Sequence, residues 1–254
     1  MNYDLSILMP AIRPEKWVDL YKSIRKSTKK SFELILVSPY KLPDELEKGS
    51  NIKYVKDFGS PNRCFNIALT LAEGKYCTWG ADDGLYQPGV LDKAIEILDS
   101  QEDEKTVISM ATVEAARHYS EEFCFINKHD EISSSFIPDH YRLLALGMMK
   151  TDYFKKLGGV NCVFETHAIG HIDLSIRAQN DGAKFIFLKD IVMRLSHMPG
   201  TTGDHAPMHH AQIDHDEVLY RKLYRDKNYK PVDRLALWDW KDTPTIWKRR
   251  FKDE

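Results

Sequence analysis

Asp82 and Asp83 stand side by side where a short apolar run, Gly74-Lys75-Tyr76-Cys77-Thr78-Trp79, gives out, and Gly84 follows them. Two adjacent carboxylates at a strand end repel each other unless a cation lies between them and a ligand. A divalent metal carrying phosphate oxygens is the usual solution, which points to a metal-dependent nucleotide site. The competing reading is local: Asp and Gly favour turns, and Asp-Asp-Gly makes a solvated one without any ligand. A second polar concentration runs from Met198 to His215 and includes Gly200, Gly203, Asp204, His205, His209, His210 and His215. Glycines among polar residues suit a loop that closes over a bound ligand and excludes water. A histidine metal site fits less well, because adjacent His209 and His210 cannot share one helical stripe.

The elements needed to position the aspartates are legible upstream. Leu5 to Met9 reads as a buried strand closed by Pro10, Phe32 to Val37 as a second stopped at Ser38-Pro39, Ile52 to Val55 as a third and Lys75 to Trp79 as a fourth. Between them, Trp17 to Ile24, Pro61 to Ala72 and Val90 to Leu98 carry apolar residues at helical spacing. Strand and helix in alternation imply a mostly parallel central sheet flanked by helices, an α/β Rossmann-like fold. Such sheets take ligands beyond the carboxyl ends of their strands, where Pro10 to Pro14, Ser38 and Asp82-Asp83 all fall.

Further along, Val107 to Thr112 reads as a strand, and Phe123 to Asn127 pairs with Ile132 to Phe136 through a polar turn. Thr151 is placed to cap a helix from Asp152 to Leu157 that Gly158-Gly159 ends. Ile169 to Asn180 reads as a helix, and Lys184 to Leu188 and Ile191 to Leu195 as strands, with His197 just beyond.

The chain has 254 residues, 43% of them hydrophobic, enough for one large core; residues 1–230 read as one catalytic domain and 231–254 as an aromatic, basic tail. With 36 Lys and Arg against 38 Asp and Glu, the net charge is -2, so no global cationic field marks a nucleic-acid or membrane binder. Cys64, Cys77, Cys124 and Cys162 form no Cys-x-x-Cys pair, which fits free thiols in a reducing, cytoplasmic setting. The tail sets Trp238, Trp240 and Trp247 among Lys241, Lys248, Arg249 and Arg250. That composition allows peripheral membrane contact, although packing back onto the domain is the commoner fate of tryptophan.

Taken in order, Leu5-Ser6-Ile7-Leu8-Met9-Pro10, Phe32 to Val37, Asn62-Arg63-Cys64-Phe65-Asn66 running into Gly74-Lys75-Tyr76, Asp82-Asp83 with Pro88 beyond, Leu157-Gly158-Gly159, His171-Ile172-Asp173-Leu174 with Arg177, and His197 form a familiar series. With these motifs the chain resembles the inverting, metal-dependent nucleotide-sugar glycosyltransferases of the A-type fold, family-2-like, over about Leu5 to His197. The resemblance implies the nucleotide-diphospho-sugar transferase fold and transfer of a sugar from a nucleoside diphosphate to a hydroxyl acceptor. It assigns donor binding to Pro10, Ala11, Arg13, Ser38, Arg63, Asn66 and Asp82, and a manganese or magnesium ion to Asp82, Asp83 and His197. It makes His171 or Asp173 the base that takes the acceptor proton, with Asp173 alternatively pairing with Arg177 at i, i+4.

Three departures qualify the match. Relatives commonly carry a Glu-Asp pair where this chain has Gly170-His171, an Asp where it has Gly80, and an Asp that holds uracil where it has Ser38. A non-catalytic sugar-nucleotide binding protein is therefore the rival from another class. A nucleotidyltransferase is disfavoured, because Met9-Pro10-Ala11-Ile12-Arg13 lacks the Gly-rich loop.

Overall fold

The computed structural model describes residues 2–114, 117–119, 141–144, 146–195, 203–227, 229 and 235–252. Nine strands form one sheet: β1 (Tyr3–Pro10), β2 (Phe32–Ser38), β3 (Ile52–Lys56), β4 (Gly74–Trp79), β5 (Gly84–Tyr86), β6 (Thr106–Glu114), β7 (Arg117–Tyr119), β8 (Gly147–Lys150) and β9 (Lys184–Leu195). The order is β3-β2-β1-β4-β8-β6-β9-β5, with β7 paired to β6. The first four strands are mutually parallel. Beyond them β8 runs antiparallel to both β4 and β6, β6 and β9 are parallel, and β5 is antiparallel to β9. The predicted parallel sheet is thus one half of a mixed sheet.

The helices are α1 (Trp17–Ser27), α2 (Asp44–Glu47), α3 (Pro61–Leu71), α4 (Val90–Asp99), α5 (Thr151–Lys156), α6 (His167–Asn180), α7 (Ala206–Ala211) and α8 (Glu217–Leu223). Burial explains why the parallel half forms: Leu5, Ile7, Leu8 and Met9 of β1 and Leu34, Ile35 and Leu36 of β2 are fully enclosed. Helices must cover the faces of such strands: α3 packs on β1 and β2, and α1 buries Trp17, Leu20 and Ile24. Helix α3 starts where Ser60 accepts the Arg63 N–H at 3.3 Å and Pro61 takes the first turn, a standard N-terminal arrangement.

Several expectations change. Lys150, not Thr151, occupies the cap of α5 and makes no side-chain cap bond. The two strands expected between Lys184 and Leu195 are one, because the β6 register slips past Lys189-Asp190 as a bulge. Residues 206–215, expected to belong to a closing loop, are part of a helical run that continues to Leu223, with a π-type turn at Gln212–Asp216. Tyr220 and Tyr224 anchor that run against Ile169, Ile172 and Ile176 of α6 in a second apolar cluster. Asp216, fully buried, accepts the N–H groups of Glu165 at 2.9 Å and Thr166 at 2.8 Å at the entry to α6. The proposed Phe123 to Phe136 hairpin and residues 198–202 lie outside the described residues.

Candidate active site

In the order β3-β2-β1-β4, the chain leaves β1 to lay β2 and β3 on one side and then returns to place β4 on the other. The crevice beyond the carboxyl ends of β1 and β4 is therefore the topological switch point, where open α/β sheets receive ligands. Asp82 bridges it. Its Oδ2 accepts the backbone N–H groups of Ile12 and Arg13, each at 2.6 Å, and the Trp17 indole N–H at 3.1 Å. Its Oδ1 accepts from the Arg13 guanidinium. A carboxylate three residues beyond β4 thus fixes the loop that leaves β1. Ala11 extends the connection by donating its N–H to Val37 O at 3.0 Å, which ties the ends of β1 and β2.

Arg13 is the hub of the charges. Its Nη1 lies 4.0 Å from Asp83 Oδ1, its Nε donates to Asp204 Oδ2 at 2.7 Å, and its Nη2 is 3.0 Å from His205 Nε2. Burial pulls the guanidinium pKa down, but Asp82, Asp83 and Asp204 outweigh it and the net shift is upward. Asp204 also titrates low: burial opposes this, and the Arg13 hydrogen bond overcomes it.

This donor set decides whether Asp82 fits a divalent ion. Three N–H donors crowd its Oδ2 and the Arg13 guanidinium takes its Oδ1, and among the described residues no group of three His, Cys, Asp or Glu converges as a metal shell. Asp82 as arranged does not fit a metal ligand, and the cation between the aspartates is Arg13. Asp83 is 6% exposed in the same crevice, and His197 lies outside the described residues. Gly80, where relatives carry an Asp, has no room for one: an added Cβ would meet Met193 Cε at 2.7 Å and Tyr86 Oη at 2.7 Å.

His171 projects from the first turns of α6 toward the end of β4, its ring 5.5 Å from that of Trp79. It stacks on His167 at 5.5 Å and 6°, and Phe65 packs against His167. The relation between the two histidines was missed in the sequence, although i, i+4 spacing on one helix face was available to suggest it. His167 Nδ1 and His171 Nε2 touch no solvent and have no hydrogen-bond partner among the described residues. Burial lowers the His167 pKa to about 4; burial and then His167 lower that of His171 to about 3.

Four assignments move from chemistry to architecture. Asp173 is fully buried and accepts from Arg177 Nε at 2.7 Å, Tyr224 Oη at 2.5 Å and Asn161 Nδ2 at 3.2 Å, so it is a core ion pair with no access to an acceptor. Asn66 donates to Val160 O at 2.8 Å and accepts the Val160 N–H at 3.0 Å, pinning the turn that Gly159 makes at φ 71°. Arg63 is held by Asp57 and donates to Trp240 O at 2.6 Å, clamping the tail. Ser38 is also fully buried, its Oγ accepting the Tyr40 N–H at 3.1 Å, and does not face a base. A groove of about 440 Å³ opens nearby between Pro14, Val18, Lys41, Leu42 and Pro43.

The tail packs onto the domain. Trp247 is 6% exposed and its indole N–H donates to Glu165 Oε2 at 2.6 Å, while Trp238 remains 53% exposed under Lys241. No helix among the described residues is long and apolar enough to cross a membrane. Cys64, Cys77 and Cys162 are free thiols.

No protein-family model and no curated protein matches the chain. Among solved structures it is similar to TarS 1–349 of S. aureus, with 16% identity, a TM-score of 0.57, and coverage of 75% of this chain and 60% of that one. TarS 1–349 in complex with UDP-GlcNAc matches at 16% and 0.57, over 79% and 60%, and the UDP complex at 16% and 0.55, over 77% and 61%. The chain spans about 60% of the length of these structures. At this identity the likeness shows the fold alone, a mixed α/β sheet flanked by helices.

Proposed function

We propose that the chain is a nucleotide-sugar glycosyltransferase that moves a sugar from a nucleoside diphosphate to a hydroxyl acceptor, with inversion. The observation that carries this is the Asp82 clamp on Ile12 and Arg13 at the switch point between β1 and β4, a prebuilt nucleotide crevice. Support for a uridine diphosphate donor comes from the similar structures solved with UDP and UDP-GlcNAc. Pro10, Ala11 and Arg13 border the donor, and the groove beside Lys41 receives the base in place of the buried Ser38.

In this reading the acceptor oxygen attacks the anomeric carbon while the bond to the diphosphate oxygen breaks. His171 takes the acceptor proton once donor binding opens its Nε2, which is closed off from solvent in this structure. Its imidazole is neutral at pH 7, and the hydroxyl becomes acidic enough for so weak a base only as its new bond forms. A bound anionic diphosphate strengthens that base by stabilising the imidazolium. Arg13 offsets the charge growing on the departing diphosphate. A divalent ion would supply further Lewis acidity there, but Asp82 is not arranged to hold one, and no step here runs through it.

The test is a panel of nucleoside-diphosphate sugars assayed for release of the diphosphate, with and without sugar acceptors. Turnover of one donor is expected. Absence of both binding and turnover would overturn the proposal. Binding without turnover would instead select a non-catalytic sugar-nucleotide binding protein, a reading favoured by Gly170-His171 and the low basicity of His171.

A further inference from the structure

The two adjacent arginines of the tail go to different places. Arg249 Nε donates to Glu165 Oε2 at 2.6 Å and so closes an ordinary surface pair. Arg250 turns the other way, to the crevice, where its Nη2 donates to the backbone carbonyl of Asp204. The carboxylate of that same Asp204 is held by Arg13. Arg13 and Arg250 therefore meet on one residue at the mouth of the site. Burial is the largest cause of the lowered Arg250 pKa; Asp204 opposes it, Arg13 adds to it, and Tyr40 and Asp82 oppose it more weakly.

The position of Arg250 is fixed rather than incidental. Trp247 N donates to Phe58 O at 2.8 Å, Ile246 bridges Phe58, and the Phe251 ring meets the Phe58 ring edge-on at 5.4 Å. Between these anchors the N–H groups of Arg250 and Phe251 both donate to Trp247 O at 3.0 Å, a tight turn that leaves the side chain one direction. A half-buried guanidinium with only a backbone carbonyl as hydrogen-bond acceptor keeps most of its donors for something else. The carboxylate that acts on it is that of Asp204, which Arg13 already holds. Guanidinium forks match phosphate oxygens in charge and geometry.

We infer that Arg250 is a donor-binding residue that grips the diphosphate of the nucleotide from the tail side, opposite Arg13, so that the tail completes the site. This rests on the transferase reading of the crevice and adds a residue to it. Asp82 and Asp204 occupy Arg13, and Arg250 supplies the positive charge they leave unmatched.

The experiment measures affinity for UDP, GDP, ADP and CDP by calorimetry in the full chain and in Arg250→Gln, Arg250→Lys and Arg249→Gln, with unliganded thermal midpoints alongside. The expected result is a loss of about tenfold for the preferred diphosphate in Arg250→Gln, the scale of a lost charged hydrogen bond. Arg250→Lys recovers part of it, and Arg249→Gln binds as the parent does. Unchanged affinity in Arg250→Gln overturns the inference while leaving the transferase reading standing. A loss that Arg250→Lys does not recover, with a lowered midpoint in both variants, assigns the effect to tail packing and also overturns it. A parent chain that binds none of the four diphosphates overturns the transferase reading and the inference together.

Discussion

The imidazoles of His167 and His171 lie 5.5 Å apart and 6° from parallel, one turn apart on α6, each with a ring nitrogen closed off from water. Only neutral rings tolerate that arrangement, because two protonated imidazoles would repel across the stack and lose their hydration.

The pair therefore makes stability depend on acid. Both folded pKa values, about 4 and about 3, lie below the ordinary 6.5, so the unfolded chain binds more protons between these limits. Their contribution is intact above about pH 6.5 and is lost as pH falls toward 4 and 3. Urea titrations from pH 7.5 to 4.5 should show a falling unfolding free energy, with a shallower fall in His167→Phe and His171→Phe. Equal slopes in parent and variants would contradict the assignment.

Asp82→Asn replaces one clamp oxygen by an amide that faces donors on every side. Breaking a buried, hydrogen-bonded ion pair on one side costs about 3–5 kcal/mol. Chemical denaturation should show a loss of that order, accompanied by weaker nucleotide binding. A variant as stable as the parent, with intact donor binding, would show that the clamp does not build the crevice.

Chelation should leave nucleotide binding unchanged. The cation facing Asp82 is Arg13, so calorimetry with EDTA and with added manganese should give the same affinity. A requirement for manganese would mean that Arg13 gives up Asp82 on donor binding.

Gly80→Asp, which restores the residue common in relatives, should destabilise the chain by about 1–3 kcal/mol through overpacking against Met193 and Tyr86. It should add no manganese affinity. A stable variant with a new metal site would show that the strand end can open.

Arg63→Lys should loosen the tail. Lysine cannot hold Asp57 while reaching Trp240 O, both of which Arg63 engages. Hydrogen exchange at residues 240–251 should accelerate, and unchanged protection would contradict the clamp.

How much of this was readable before folding depends on how far apart the partners are in sequence. Strands β1, β2 and β4 were legible because mainly apolar runs end at Pro10, Ser38 and Trp79, and a crevice beyond their carboxyl ends followed from the alternation with helices; the strand order did not. Arg63 and Asn66 were misread as donor ligands, since their contacts are 177 and 94 residues away and no local pattern encodes them. Asp173 had its true role visible as the i, i+4 pairing with Arg177, but its burial under Tyr224 did not show. The helical run from Ala206 was obscured by histidine, aspartate and proline, which weaken propensity, while the tyrosines that anchor it come at its far end.

The Asp82 clamp receives main-chain amides from positions 12 and 13, and an amide is the same whatever side chain follows it, proline excepted. That half of the cradle is insulated from substitution. Descendants can drift at these positions without losing the bend of the loop, which is one physical route by which two chains keep a common scaffold after their letters have diverged beyond recognition.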